Sequence, residues 1–478
     1  MLRWKYKNAR RSDMANIVII GAGSLVFSSR LTADVLTYPA MADSQFFLVD
    51  IDSERLEYAE QIAERIIIEG KYRTAVVKAT MNRREALEGA DYVIISILVG
   101  GYEAIKKEID IPMKYGIDQC IGDTLTPGGI MRCLRTLPVI TEIIQDIVEI
   151  CPKAHVLNYT NPMGMLSLGI QDLAPELSYI GLCHSVQGTS EEWARRLEIP
   201  LDEINFKCAG INHQAWFTKF EHKGKDLLPD IRNLAVKPEI WYGDTARMEY
   251  VKHFGYPVTE SSGHVSEYNW WFRKNKETVN RYCRNKSAEW NGGSGFIKKL
   301  YERPDWKKQM RKMAEWEEPV DLERSHEYGS SIINALETGV PVIVYGNLMN
   351  RGYIENLPED AIVEVPCLVD RNGIQPIGAG TLPSHLAVLN RAQLGVQDLA
   401  VRAVQTGDSE YVFQAMAMDP LTAMSCTLDE IRSMTRELLE AHKPWINCIK
   451  GELADKPLVY MEPEPEQLEA HKDPATDK

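Results

Sequence analysis

From residue 15 to about residue 182, short apolar runs alternate with stretches whose apolar positions recur at helical spacing. Runs at 17–20, 46–49, 92–97, 156–159 and 179–181 read as strands, and segments 53–69, 83–90, 130–149 and 164–173 read as helices. Strands that are apolar nearly throughout suit a sheet buried on both faces, so the alternation predicts an α/β fold with a doubly wound, mostly parallel sheet. From about residue 201 the texture changes to mixed strands and longer helices. A strand pair at 363–369 and 374–377 turns across Asp370-Arg371-Asn372-Gly373, and a helix is opened by a Thr427-x-x-Glu430 capping box. This second region, 201–455, reads as α+β and is expected to pack on the first, 14–200. Residues 1–13, with five Lys/Arg and no apolar periodicity, and the acidic, Pro-rich stretch 456–478 are expected to be disordered.

Composition narrows the class. With 478 residues, 44% hydrophobic and 26% charged, the chain can bury sizeable cores in one to three domains. A net charge of −14 supplies no cationic field for nucleic acid or anionic lipid, so neither is expected as a partner. No run approaches a membrane span and the start lacks a secretory h-region, which points to the cytoplasm. Nine scattered cysteines, odd in number and without a CxxC pair, are expected to be reduced thiols.

The first strand, Ile17-Val18-Ile19-Ile20, runs into Gly21-Ala22-Gly23-Ser24, a Gly-x-Gly turn that lets a backbone approach a pyrophosphate at a helix N-terminus. Val26 stands where a third glycine would complete the motif. The second strand ends in Asp50, at the distance where a carboxylate accepts from the adenosine ribose 2′-OH and repels the extra phosphate of NADP. The first region is therefore expected to be a Rossmann-like domain binding NAD through Gly21, Gly23, Ser24 and Asp50. A tight turn beside a solvated Asp is the alternative.

Beyond the cofactor, Cys183 and His184 follow one strand and His213 follows another. In an open parallel sheet, strand ends are where ligands bind, and a thiolate with an imidazole from two such ends can hold one divalent ion. Two segments have the polar density of a site rim: Asn158-Tyr159-Thr160-Asn161-Pro162, whose amides suit cofactor and sugar hydroxyls, and Asp123-Thr124, leading into Pro127-Gly128-Gly129 and a helix with Arg132 and Arg135. Glu260-Ser261-Ser262-Gly263-His264-Val265-Ser266-Glu267-Tyr268-Asn269-Trp270-Trp271 crowds acids, a His, a Tyr and two Trp together; the tryptophans suit a sugar platform or a core equally well.

Taken in order, Gly21-Ala22-Gly23-Ser24, Asp123-Thr124, Gly128-Gly129-Ile130, Asn158-Tyr159-Thr160-Asn161-Pro162, Cys183-His184-Ser185-Val186-Gln187-Gly188-Thr189 and Ala209-Gly210-Ile211-Asn212-His213 resemble the NAD- and manganese-dependent glycosidases of glycoside hydrolase family 4. Those enzymes depart from the two-carboxylate pattern of other glycosidases. Cys183-His184-Ser185-Val186-Gln187 and Thr259-Glu260-Ser261-Ser262 look most like the melibiase-type α-galactosidases, with Gly263 and Thr126 as departures. The resemblance implies a lactate/malate dehydrogenase-like fold, a homodimer or homotetramer, and NAD and Mn²⁺ as cofactors, with Asn158 serving NAD. It further implies metal ligation by Cys183 and His213, sugar contacts from Asp123, Asn161 and His264, and a tyrosine base matched by position to Tyr268, with His264 and Tyr328 as alternatives. His184 is the implied proton donor. The implied route oxidises C3 of a terminal α-galactoside, removes the C2 proton, eliminates the aglycone, adds water at C1 and reduces C3 again. α-Glucosidase or α-uronidase activity is the alternative within the family; outside it stand a true NAD-dependent sugar or hydroxy-acid dehydrogenase and a non-catalytic NAD sensor.

Overall fold

Strand β1 (Asn16–Ile20) shows why the first half folds as it does: Ile17 and Ile19 enter one core while Val18 and Ile20 enter another, so both faces of the sheet are covered. This computed structural model describes residues 14–24, 27–283 and 306–454; the segments 1–13 and 456–478, and Val26, lie outside the described residues. The remaining strands are β2 (Gln45–Val49), β3 (Val76–Thr80), β4 (Tyr92–Ile95), β5 (His155–Asn158), β6 (Tyr179–Gly181), β7 (Ile204–Ile211), β8 (Gln214–His222), β9 (Lys225–Asp226), β10 (Val342–Met349), β11 (Ile362–Asp370) and β12 (Gly373–Pro376). The first six pair in parallel in the order β3-β2-β1-β4-β5-β6, the doubly wound order of dinucleotide-binding folds.

The second half continues the same sheet. β10 runs antiparallel to β6 through Asn347 opposite Gly181, β11 pairs with β10, and β7 joins β11 through Glu364 opposite Gly210, followed by β8 and β9. The boundary expected at 200/201 thus falls between β6 and β7 in sequence, yet the sheet is unbroken across it. Helices Thr126–Ile150, Ser384–Thr406 and Leu428–His442 cover the face that holds Val18, Val93 and Ile95. The Thr427 capping box forms as expected, with Glu430 closing it.

Several boundaries differ from the sequence reading, among them the helix expected at 83–90, which ends at Leu87, and two of the differences have a visible physical reason. β4 stops at Ile95 because the Ile97 N–H leaves the ladder to donate to the Thr160 hydroxyl at 3.0 Å. The long helix begins at Thr126, four residues early, because Gly128 and Gly129 let its first turn sit against the preceding loop. A Cβ on Gly128 would lie 2.2 Å from the Gly122 carbonyl oxygen, and one on Gly129 2.5 Å from the Thr124 carbonyl carbon. That close approach fixes the loop carrying Asp123 and Thr124.

Candidate active site

At the β1 turn, Gly21 adopts φ +90°, and its N–H and that of Ala22 both donate to the Val49 carbonyl, at 2.8 and 3.0 Å. A side chain at Gly21 would strike the Ser96 carbonyl at 2.0 Å, so the turn needs glycine there for the fold itself. Gly23 is also spoken for: its N–H donates to Asp50 at 2.8 Å, and a Cβ would first meet Arg55 at 2.6 Å and the Asp50 carboxylate at 2.8 Å. Neighbouring side chains, before any pyrophosphate, therefore require its bareness. Ser24 accepts from the Phe27 N–H at 3.4 Å, at the start of helix Phe27–Leu36.

Asp50 sits at the end of β2 with one oxygen taking Gly23 and the other the Asp52 N–H at 3.0 Å; a carboxylate has about four acceptor sites, which leaves room for ribose hydroxyls. Ile51 beside it is 92% exposed at the mouth of the crevice. Strand order, turn and acid together fit a dinucleotide. Asn158, expected at the cofactor, is fully buried; its amide donates to the Thr160 carbonyl and the Tyr179 hydroxyl, and its oxygen accepts from the Thr160 N–H. Those bonds shape the turn that leads to Asn161.

The metal-type residues converge. Cys183, just past β6, places Sγ 3.2 Å from His213 Nε2. His213 occupies the two-residue turn between β7 and β8 at φ +62°, a conformation a non-glycine residue holds only where its surroundings enforce it. Glu260, also at positive φ, puts Oε1 3.8 Å from His213 Nε2 and 3.8 Å from His264 Nε2. His213, Glu260 and His264 offer ligand atoms all within 4.8 Å of one another. His264, expected on the sugar, thus joins the donor group. A thiol, two imidazoles and a carboxylate suit a divalent first-row ion better than Mg²⁺ or Ca²⁺. Burial, then Glu260, pushes the Cys183 thiol up to about 11, and a cation there would favour its thiolate. Burial, then His213, lowers His264 to about 4, leaving it neutral as a ligand must be.

Tyr268 ends helix Ser262–Glu267, fully buried, with its hydroxyl 2.9 Å from His213 Nδ1 and 3.1 Å from His264 Nδ1. Burial, then the acids Asp123, Glu267 and Glu260, holds its phenol well above the ordinary value. Asp123 receives the Thr124 hydroxyl at 2.7 Å and the Asn161 amide at 3.4 Å, and lies 3.9 Å from His264. His184 stands at the rim, its side chain 64% exposed and its Nδ1 3.9 Å from Glu327. Tyr328 does not join this group; Tyr345, Glu364 and Cys208 surround it. Trp271 packs in an aromatic cluster with Phe254 and Tyr250, at 5.3 and 5.9 Å, which settles its choice in favour of packing.

Two roles escaped the sequence reading. Glu260 was not singled out as a donor, although Glu260, His264 and Tyr268 recur every four residues, the spacing of one helical face. Glu267 is the anchor: its carboxylate accepts from the N–H groups of Cys120 at 2.7 Å, Ile121 at 3.1 Å and Gly122 at 3.1 Å, tying the Tyr268 helix to the Asp123 loop.

Two family models match nearly end to end: family 4 glycosyl hydrolase over residues 16–199, and the family 4 glycosyl hydrolase C-terminal domain over 208–422. An α-galactosidase of Bacillus subtilis (strain 168) is 38% identical over 445 residues, 91% of this chain and 99% of its own. The chain belongs to glycosyl hydrolase family 4. An α-galactosidase of Rhizobium meliloti (strain 1021) is 37% identical, covering 90% of this chain and 89% of its own. An α-galacturonidase of Lachnoclostridium phytofermentans is 31% identical, covering 92% and 98%. Among solved structures, the Bacillus subtilis lplD protein, a candidate glucosidase, superposes with a TM-score of 0.80 at 28% identity, covering 89% of this chain and all of that one. These family 4 relatives share the α/β architecture described above.

Proposed function

We propose that this family 4 hydrolase is an NAD- and Mn²⁺-dependent α-galactosidase acting on terminal α-galactosides in the cytoplasm, as a homodimer or homotetramer. The observation that carries the reading is the cluster of His213, Glu260 and His264, with Cys183 Sγ 3.2 Å from His213 Nε2 and the Tyr268 hydroxyl hydrogen-bonded to both imidazoles. Two carboxylates straddling a glycosidic bond would suffice for direct displacement. A metal-type donor set beside a dinucleotide crevice is what an oxidation-assisted route requires. Similarity of 37–38% to the two α-galactosidases favours the galactoside.

Bound NAD would supply a hydride acceptor for C3, and the ion would polarise the oxygens flanking C2 so that its hydrogen becomes acidic. Cys183, His213, Glu260 and His264 would hold that ion. Tyr268 would be the base for the C2 proton once ionised: an ion held on Nε2 of His213 and His264 would leave both Nδ1–H groups, 2.9 and 3.1 Å away, to donate to the phenolate and offset the burial that raises it. Asp123 and Asn161 form the polar wall that receives the remaining hydroxyls. His184, exposed at the rim opposite Glu327, donates a proton to the departing glycosidic oxygen. Asp50 supports NAD over NADP by its charge at the 2′ position. A panel of p-nitrophenyl α- and β-hexosides and galacturonides, with and without NAD, Mn²⁺ and reductant, tests the reading. It predicts p-nitrophenol release from the α-galactoside, dependent on all three additions and without net NADH. Accumulating NADH with no bond cleavage would instead mark a dehydrogenase.

A further inference from the structure

Helix Thr126–Ile150 presents two arginines one turn apart, and their fates differ. Arg135 is locked: both its Nε and one terminal nitrogen reach the Glu108 carboxylate, at 2.7 and 3.0 Å, and its other nitrogen donates to the Val99 carbonyl. Arg132, with a side chain only 15% exposed, has among the described residues a single long ionic contact, 3.6 Å to Asp123 Oδ2. A guanidinium carries five donors, so most of Arg132's hydrogen-bonding capacity is uncommitted at the edge of the site. Asp123 is shared in turn: Oδ2 also meets the Asn161 amide, while Oδ1 faces His264 Nδ1 at 3.9 Å. The Arg132–Asp123–Asn161 group is therefore continuous with the metal-donor cluster and borders the space beside it.

Resting on the α-glycosidase reading above, we propose that the Asp123–Arg132 pair selects the group at C5 of the sugar, admitting an uncharged hydroxymethyl and rejecting a carboxylate. The charges argue for it. Asp123 balances Arg132, so an incoming uronate meets a cation that is already matched and the Asp123 carboxylate beside it. A neutral sugar instead finds an acceptor in Asp123 and donors in Arg132 and Asn161, the mixture hydroxyl groups need. Removing the Asp123 charge would turn Arg132 into an unmatched planar donor, the group best suited to a carboxylate.

The test compares the wild-type protein with Asp123→Asn and Arg132→Gln, all loaded with NAD and Mn²⁺. Calorimetry measures binding of galactose and of galacturonate, so the readout stands without turnover, and kcat/KM is taken on p-nitrophenyl α-galactoside and α-galacturonide. The wild type should prefer the neutral sugar. Asp123→Asn should move the galacturonate-to-galactose affinity ratio up by tenfold or more, and Arg132→Gln should move it the other way. If Asp123→Asn fails to fold, as judged by circular dichroism, the wild-type preference and the sign of the Arg132→Gln shift still decide. A wild type that prefers galacturonate, or ratios that stay within twofold while both affinities change together, overturns the proposal. A wild type that cleaves neither glycoside with NAD and Mn²⁺ present refutes the functional reading instead.

Discussion

Replacing Glu267 by Gln should change stability by an amount that depends on pH in a stated direction. The side chain is fully buried and accepts three backbone N–H groups, from Cys120, Ile121 and Gly122. An amide oxygen can replace the carboxylate oxygen that serves Cys120 and Ile121, but the amide NH₂ then faces the Gly122 donor and strands it, a loss of about 1–3 kcal/mol. Against this, burial raises the Glu267 carboxyl from an ordinary value near 4.5 to about 7, in spite of Arg273 and the three N–H donors. The folded pKa lies above the unfolded one, so the native state holds more protons across that interval and wild-type stability falls as pH rises through it. The interval is worth about 3 kcal/mol, absent below the lower value and fully expressed above the upper. Gln carries no such titration. Between pH 5 and pH 8 the stability of Glu267→Gln relative to wild type should therefore improve by about 2–3 kcal/mol, read from urea unfolding of both proteins followed by circular dichroism. Because Glu267 holds the Asp123 loop, the variant should also raise KM for the sugar while leaving NAD affinity unchanged. A stability gap constant across the pH range would refute the burial argument, and an unchanged KM would refute the tie to Asp123.

Cys183→Ser, His213→Ala and Glu260→Gln should each weaken Mn²⁺ binding on the order of 100-fold, since even residues that only support a ligand are worth 10–100-fold; titration followed by electron paramagnetic resonance reads this, and unchanged affinity would return the residue to a structural role. Activity lost to a chelator should be restored by Mn²⁺, whereas activity lost to a thiol oxidant should not be, because Cys183 is the target. Asp50→Ala should weaken NAD binding and relax discrimination against NADP, measured by calorimetry; the Gly23 N–H loses its acceptor at the same time.

What was legible in the sequence was local or strand-end chemistry. The β1 run, its glycine turn and Asp50 lie within one βαβ unit, where period and spacing report directly on structure. Cys183 and His213 could be read because each follows an apolar strand. Their 3.2 Å approach, however, depends on β10 and β11 standing between β6 and β7 in the sheet, and the joining contacts are single residue pairs, Asn347 with Gly181 and Glu364 with Gly210, that no periodicity encodes. The turn that Asn158 closes was not legible, because an amide at a strand end looks the same in sequence whether it faces a ligand or bonds its own backbone. The bidentate Arg135–Glu108 pair, which leaves Arg132 the only one of the two turned to the site, spans 27 residues and two helices, and side-chain direction rather than composition separates the two arginines.

The central claim is that Tyr268 removes the C2 proton of the sugar, which a direct-displacement glycosidase never does. Hydrolysis of p-nitrophenyl α-galactoside in D₂O with NAD and Mn²⁺, followed by proton NMR of the released galactose, tests it most directly. The account predicts deuterium at C2 of the product, with exchange and turnover suppressed together by about 10²–10⁴-fold in Tyr268→Phe. Galactose with protium fully retained at C2, released by an enzyme that still requires NAD, would contradict it.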